Sequence, residues 1–181
     1  MSGLAAIDLA IRPEQPGDKA AIYDLTQRAF ATMPYADGNE QDLVDALRDG
    51  GALALSLVAE QSGQLVGHVA FSPAIAADGS GGWYALGPVS VTPPLQNQGI
   101  GSRLINRGLD ILRSRDAAGC VLVGAPEYYR RFGFAPAPEN CPEQEPAEYY
   151  QLRPMGRSAP QGIIDFHPLF YAGQGGEGEA S

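Results

Sequence analysis

Lysine occurs once in these 181 residues, at Lys19, and histidine twice, at His68 and His167. A Walker loop needs G-x-x-x-x-G-K-[ST], and nothing around Lys19 supplies it. Cysteine is equally scarce: Cys120 lies inside an apolar run, Cys141 in a Pro/Glu-rich stretch, and no C-x-x-C occurs. That leaves too few soft ligands for zinc or an iron–sulfur cluster, so no metal is expected and both thiols read as free and reduced. Basic residues number 12 against 21 acidic ones, a net charge of -9. Such a balance repels phosphate backbones and argues against a nucleic-acid partner. No run of ~18 apolar residues is present, so no membrane span is expected. The opening MSGLAAIDLAIRP has no basic residue ahead of its apolar positions and meets Asp8 early. That is unlike a secretory signal and predicts a cytoplasmic protein.

What is present fits one globular domain. Hydrophobic residues make up 44% and charged residues 18%, and the length suits a single unit at roughly 150 residues per domain. We assign 1–172 to that domain and expect the tail 173–181, GQGGEGEAS, to be disordered.

The periodicities predict a mixed sheet with helices. Ile7, Leu9 and Ile11 alternate before Pro13, as in a short strand. Asp18 is placed to accept from the free amides of a helix over 19–31. A second helix over 40–48 gathers Leu43, Val44 and Leu47, and Gly50 and Gly51 stop it. Residues 55–60 and 65–71 read as a hairpin across Gln61–Gln64. WYALGPVSV, residues 83–91, is a further strand whose Gly87 and Pro88 make it either an edge strand or an interrupted one. Over 100–115, Ile100, Leu104, Ile105, Gly108, Leu109, Ile111 and Leu112 fill one half of a helical wheel. A buried strand over 120–123, a short helix from Pro126 to Gly133, a loop over 135–148 and strands over 149–153 and 162–166 complete the reading.

Between Ile100 and Arg131 lie six arginines and three acids, so the one electropositive segment of an acidic chain is a candidate for meeting a small anion. The loop QNQGIG leads into the 100–115 helix there. A helix start offers unpaired amides and the positive end of its dipole, and Gly99 and Gly101 let a diphosphate approach the backbone. Two glycines in such a loop are also ordinary turn residues. The dinucleotide fingerprint is excluded, because Leu104 stands where it needs a small residue.

The longer string V-x-V-x-P-x-x-Q-x-x-G-x-G-x-x-L, Val89 to Leu104, resembles the acetyl-CoA signature of the GCN5-related N-acetyltransferase (GNAT) superfamily. YYRRFGF, residues 128–134, is similar to the family's aromatic-Tyr-x-x-x-Gly-Phe segment, and IRPEQPGD with AIYDLTQRAF to its first strand and helix. NEQDLVDALR, LGPVSV, VLVGAPEYYRRFGF and FHPLF resemble the bacterial YhbS-like subgroup, so the likeness runs to about Tyr171.

The resemblance implies the acyl-CoA N-acyltransferase fold, a central mixed, mostly antiparallel sheet with splayed strands flanked by helices. It implies acetyl transfer from acetyl-CoA to a small-molecule or peptide amine by direct attack in a ternary complex, and admits a homodimer. Val89 and Val91 match the strand that pairs with the pantetheine arm. Gln96, Gln98, Gly99, Ile100, Gly101 and Ser102 match the positions that hold the pyrophosphate, with Arg103 or Arg107 as assistants or plain solvated charges. Tyr129 matches the general acid and Tyr128 a packing position. A carboxylate found in many relatives on the strand corresponding to 83–91 is missing, which leaves Glu40, Glu60 and His68 as candidate bases, each with an ordinary structural role as well. A non-catalytic acyl-CoA sensor is the alternative. Glu139, Glu143, Glu145 and Glu148 could attract a cationic acceptor, or simply be solvated.

Overall fold

The computed structural model describes residues 8–156 and 160–172. Ile7 and the 173–181 tail lie outside them. Strand β1 (Leu9–Pro13) pairs antiparallel with β2 (Leu55–Gln61), which forms a hairpin with β3 (Gln64–Pro73). The turn residues Ser62 and Gly63 both have positive φ, 51° and 78°, as a two-residue hairpin that matches the strand twist requires. β3 pairs antiparallel with β5 (Trp83–Val91), and β5 runs parallel to β6 (Gly119–Val123). β8 (Tyr150–Pro154) and β7 (Ala135–Pro136) finish a seven-stranded sheet in the order β1-β2-β3-β5-β6-β8-β7. β4 (Ile75–Ala76) and β9 (Ile164–Asp165) make a separate pair.

β5 is a central strand, so the interruption at Gly87–Pro88 is real and the edge-strand alternative falls. Between the pairs Phe71↔Leu86 and Val69↔Val89, two steps along β3 oppose three along β5. The added residue sits at Gly87, φ 138°, next to a cis Gly87–Pro88 peptide. It resets the alternation, so Tyr84, Leu86, Val89 and Val91 all join one apolar cluster.

Helix α3 (Ile100–Ser114) lies on that face. It buries Ile100, Leu104, Ile105, Gly108, Leu109 and Leu112 against Leu57, Val69 and Phe71. Gly108 makes the approach possible, since a Cβ there would collide with ring carbons of Phe71. The opposite face is covered by α1 (Lys19–Phe30) and α2 (Glu40–Asp49). Asp18 does not cap α1. Its carboxylate accepts from Gln15 N at 2.7 Å and from Arg12, closing the single turn Pro16–Asp18 instead. A short helix α4 (Pro126–Tyr129) continues as one tighter turn to Phe132, and Gly133, φ 88°, ends it. The 135–148 loop is more ordered than expected, holding β7 and a turn at Pro138–Asn140. The strand expected over 162–166 shrinks to β9. Among the described residues, no helix is long and apolar enough to cross a membrane.

The α1-covered face carries a polar chain. Arg48 donates to Glu14 at 2.6 Å, Ser56 Oγ donates to Glu14 at 2.9 Å, and Ser56 Oγ lies 2.8 Å from His68 Nε2. His68 is fully buried. Burial lowers its pKa to about 4, Glu14 opposing the shift and Arg48 adding to it.

Two stability predictions follow from this packing. Gly108→Ala gains ~1 kcal/mol of helix propensity but overpacks a rigid ring, a cost of about 1–3 kcal/mol in well-packed cores. A net loss is expected, read as a lower urea midpoint. Stability should also fall with acid: below pH 6.5 the unfolded chain protonates His68 while the folded chain does not, until pH nears 4. The loss over that window is on the order of 3 kcal/mol. Glu14, held below its usual 4.5 because Arg48 and Ser56 outweigh the effect of burial, adds its loss only at still lower pH. Urea melts from pH 7 to 4.5 should show the slope in the parent and a flatter one in His68→Gln.

Candidate active site

The parallel ladder between β5 and β6 ends early. Its pairs are Trp83↔Gly119, Tyr84↔Cys120 and Ala85↔Val121. Past Ala85, β5 keeps β3 on one side and turns its other edge, Leu86 to Val91, to a gap, while β6 continues beside β8. A free strand edge is a template for any extended chain that carries amides.

The gap leads into the start of α3. Gln96 Nε2 donates to the Val91 carbonyl at 3.0 Å and ties the loop to the strand. Asn97 and Gly99 take positive φ, 64° and 87°, and no side chain caps Gly99. The amides of Ile100, Gly101 and Ser102 precede the first intrahelical acceptor, and Arg103 N is the first to bond back, to Gly99 O at 3.1 Å. These donors and the dipole can hold a diphosphate. Gly101 faces the strand: a Cβ there would lie 3.5 Å from Tyr128 Oη and 3.7 Å from Val91 Cγ2. Val89 and Val91 are half-buried beside it, Ile100 is buried, Ser102 is half-buried and Gln98 is exposed. Arg103 and Arg107 are exposed, and Arg103 reaches Leu9 O at 3.4 Å.

At the end of β6 the chain turns through Gly124 into α4. Gly124 has no side chain because the Tyr129 ring lies against it: a Cβ would come within 2.5 Å of Cε2. Phe132 and Phe134 flank the same ring. Burial raises the Tyr129 pKa far above the usual phenol value, with smaller contributions from Tyr128 and Tyr35. At neutral pH the hydroxyl therefore keeps its proton and is a donor. Tyr128 does more than pack. Arg131 stacks on its ring at 4.5 Å, and its hydroxyl reaches the first turn of α3.

Sequence reasoning missed the Tyr128 hydroxyl, the seat at Gly124, and Tyr35, an 81% exposed residue that adds a little to the rise of the Tyr129 pKa. Gly124 was visible inside VLVGAPEYY. Tyr35 sits in an irregular loop with no periodicity to mark it.

The candidate bases separate clearly. Glu40 accepts from Asp37 N at 2.8 Å and Gly38 N at 3.1 Å, organising its own loop. Glu60 pairs with Arg12 at 2.9 Å. His68 lies under α1, on the face opposite α3. In the acidic loop, Glu139, Glu143 and Glu148 are exposed. Glu145 is half-buried, and burial, outweighing a hydrogen bond with Tyr171, raises its pKa, as do Asp165 and Asp37.

The family model described as Acetyltransferase (GNAT) family matches residues 19–134. YhbS of Escherichia coli (strain K12), described as an uncharacterized N-acetyltransferase, is 33% identical over 169 residues, 90% of this chain and 98% of the relative. A GNAT family acetyltransferase from Brucella melitensis, solved in complex with acetyl-CoA, is 46% identical with a TM-score of 0.81, covering 91% of this chain and 99% of that one. The structure of E. coli YhbS in complex with CoA gives 30% identity and a TM-score of 0.81, covering 94% and 96%. The chain belongs to the GNAT acetyltransferase family.

Proposed function

We propose that this protein, with 1–172 as one catalytic domain, is a cytoplasmic N-acetyltransferase that binds acetyl-CoA in the β5–β6 gap and passes the acetyl group directly to an amine. The observation that carries the reading is the continuity of the free β5 edge with the uncapped start of α3, joined by the Gln96–Val91 hydrogen bond. A pantetheine arm is an extended chain with amides, suited to pair with Val89–Val91. It ends in a pyrophosphate, suited to the amides at Gly99–Ser102. The matched structures with acetyl-CoA and CoA support this placement. The acceptor is a small-molecule or peptide amine, and Glu145, Asp165 and Asp37, grouped beside the loop that carries Tyr35, favour a cationic one.

In the reaction the amine nitrogen bonds to the thioester carbonyl carbon, the C–S bond breaks and the sulfur leaves as thiolate. The Tyr129 hydroxyl, protonated and carried on a ring flanked by Phe132 and Phe134, donates to that sulfur. No covalent enzyme intermediate is required. Cys120 suits none, because burial raises its pKa far above the usual thiol value. The lack of a carboxylate on β5 is the one feature that favours a non-catalytic acyl-CoA sensor, and turnover separates the two readings.

Acetyl-CoA at 100 times its Kd should stabilise the fold by about 2.7 kcal/mol, a melting-temperature rise of roughly 5–10 °C for a domain of this size. Gly101→Asp sets a carboxylate between Tyr128 and Val91 and should abolish the rise. A folded variant with the parental response would displace the cradle from this loop. Tyr129→Phe keeps the ring on Gly124 and should lower kcat roughly 100-fold, the low end for acid catalysis, with the KM for acetyl-CoA unchanged. Tyr128→Phe should leave kcat intact. Steady-state kinetics on an acceptor found by an amine screen checks both, and equal kcat for Tyr129→Phe and parent would remove the assigned role.

A further inference from the structure

Acetyl transfer to an amine releases a proton from the nitrogen, and β5 carries no carboxylate to take it. The inference below rests on the transferase reading and assigns that task.

The chain Arg48–Glu14–Ser56–His68 has a direction. Glu14, paired with Arg48 at 2.6 Å, is ionised and can only accept. Ser56 must therefore donate its one proton to Glu14, and its oxygen is left to accept from His68 Nε2. The neutral ring then carries its proton on Nε2 and a bare lone pair on Nδ1. Among the described residues Nδ1 is fully buried and has no protein partner. The logic is that of any oriented imidazole: one nitrogen anchored by an acceptor, the other free to act as a base.

Three other buried side-chain atoms on the α1-covered side also lack protein partners: Ser90 Oγ, Ser72 Oγ and Thr26 Oγ1. Ser90 is directly opposite His68 in the β3–β5 register. Ser72, four residues beyond His68 on the same face of β3, pairs with Ala85, the last β5 residue joined to β6. Thr26 belongs to the buried stripe of α1. In the register, Ser90 lies beside His68 and Ser72 lies at the place where the strands part. Where there is room, such buried polar groups are satisfied by water, which typically bridges two to four of them. At its outer end, Glu14, Arg48 and Ser56 line an open hollow of about 370 Å³ that also holds Arg115.

We infer that His68 is the relay base of acetyl transfer, receiving the amine proton at Nδ1 through water held by Ser72, Thr26 and Ser90. Ser56 and Glu14 are positioning residues that fix the tautomer and face the imidazolium with a carboxylate. As the amine nitrogen bonds to the carbonyl carbon, its N–H bond breaks and the proton moves along the water to Nδ1. After the product leaves, it returns by the same path to bulk water. The charged groups acting on the ring are Glu14 and Arg48. α1 turns Ile22, Leu25, Thr26 and Ala29 inward, and β5 brings Ser90, none ionisable.

The test uses full-length protein, acetyl-CoA, and a panel of spermidine, cadaverine, tyramine, lysine and a peptide with a free N-terminus. On an amine that the parent acetylates, His68→Gln, which can still donate to Ser56, should lose about 100-fold in kcat near pH 7. The KM for acetyl-CoA and the acetyl-CoA melting shift should stay parental. The deficit should close as pH rises from 7 to 10, because free amine and hydroxide then dispense with the base. A merely structural role would leave it constant. Ser56→Ala should show a smaller loss with the same pH signature, and it decides the matter if His68→Gln does not fold. Nitrogen-15 spectra of the parent at pH 7 should show the Nε2–H tautomer at His68. An Nδ1–H tautomer, or parental kcat at all pH values in the folded variants, overturns the relay alone. A parent that acetylates nothing in the panel overturns the transferase reading and the relay with it.

Discussion

The parting of β5 from β6 after Ala85 and Val121 is the constraint on which the rest of this structure depends. Interior parallel strands ordinarily satisfy each other's backbone groups along their whole length. Here the ladder stops after the pairs at Trp83, Tyr84 and Ala85. Each protein hydrogen bond forgone is worth about 0.5–1.5 kcal/mol net when water replaces the partner, and more when nothing does. The open edge is therefore tolerable only where solvent or a ligand reaches it. The added residue at Gly87 makes the arrangement compatible with a core: Val89 and Val91 still meet α3, although they lie an odd number of residues beyond Tyr84 and Leu86.

That geometry divides the molecule into two sides with different chemistry. The α3 side is apolar except at its rim, where uncapped amides and the Tyr128 hydroxyl gather. The α1 side is threaded by serines, a threonine and a histidine at positions where strands usually carry aliphatic residues. Arg103, Arg107, Arg130 and Arg131 lie in the α3 and α4 segments, whereas Glu14, Asp37, Glu145 and Asp165 come from elsewhere in the chain. The arginines of the α3 and α4 segments therefore favour an anion near the start of α3.

Most of this fold was legible because period and punctuation agree. α3 starts at Ile100 and ends at Ser114, within a residue of the 100–115 range read from its apolar stripe, and the hairpin turn falls on Ser62–Gly63. Gly87–Pro88 announced an interruption but not that β5 is central, since proline in a strand ordinarily marks an edge. Asp18 was misread because sequence shows a helix start without showing Arg12, whose ion pair holds that carboxylate. The acetyl-CoA signature pointed to QNQGIG by likeness, and helix-start chemistry pointed there independently. Tyr128 was assigned to packing because adjacent aromatics on a one-turn helix cannot both be oriented from spacing alone. The polar chain at His68 was out of reach, because it joins residue 14 of a loop to residues 48, 56 and 68 of three elements, and only the register brings Ser56 and Ser90 to the ring.

Burial shifts the pKa values of Tyr129 and His68, the two side chains proposed to handle protons, in opposite directions. Removing a group from water disfavours its charged form. For Tyr129 the charged form is the phenolate, so burial fastens the proton on and leaves a donor. For His68 the charged form is the imidazolium, so burial strips the proton off and leaves a lone pair. One physical cause, acting on an acid and a base in the two halves of one core, thus leaves both neutral at pH 7. Each is then in the state that the proposed roles require: a phenol able to give a proton to a departing thiolate, and an imidazole able to take one from an attacking amine. For both groups burial is the largest cause of the shift, with neighbouring groups acting second.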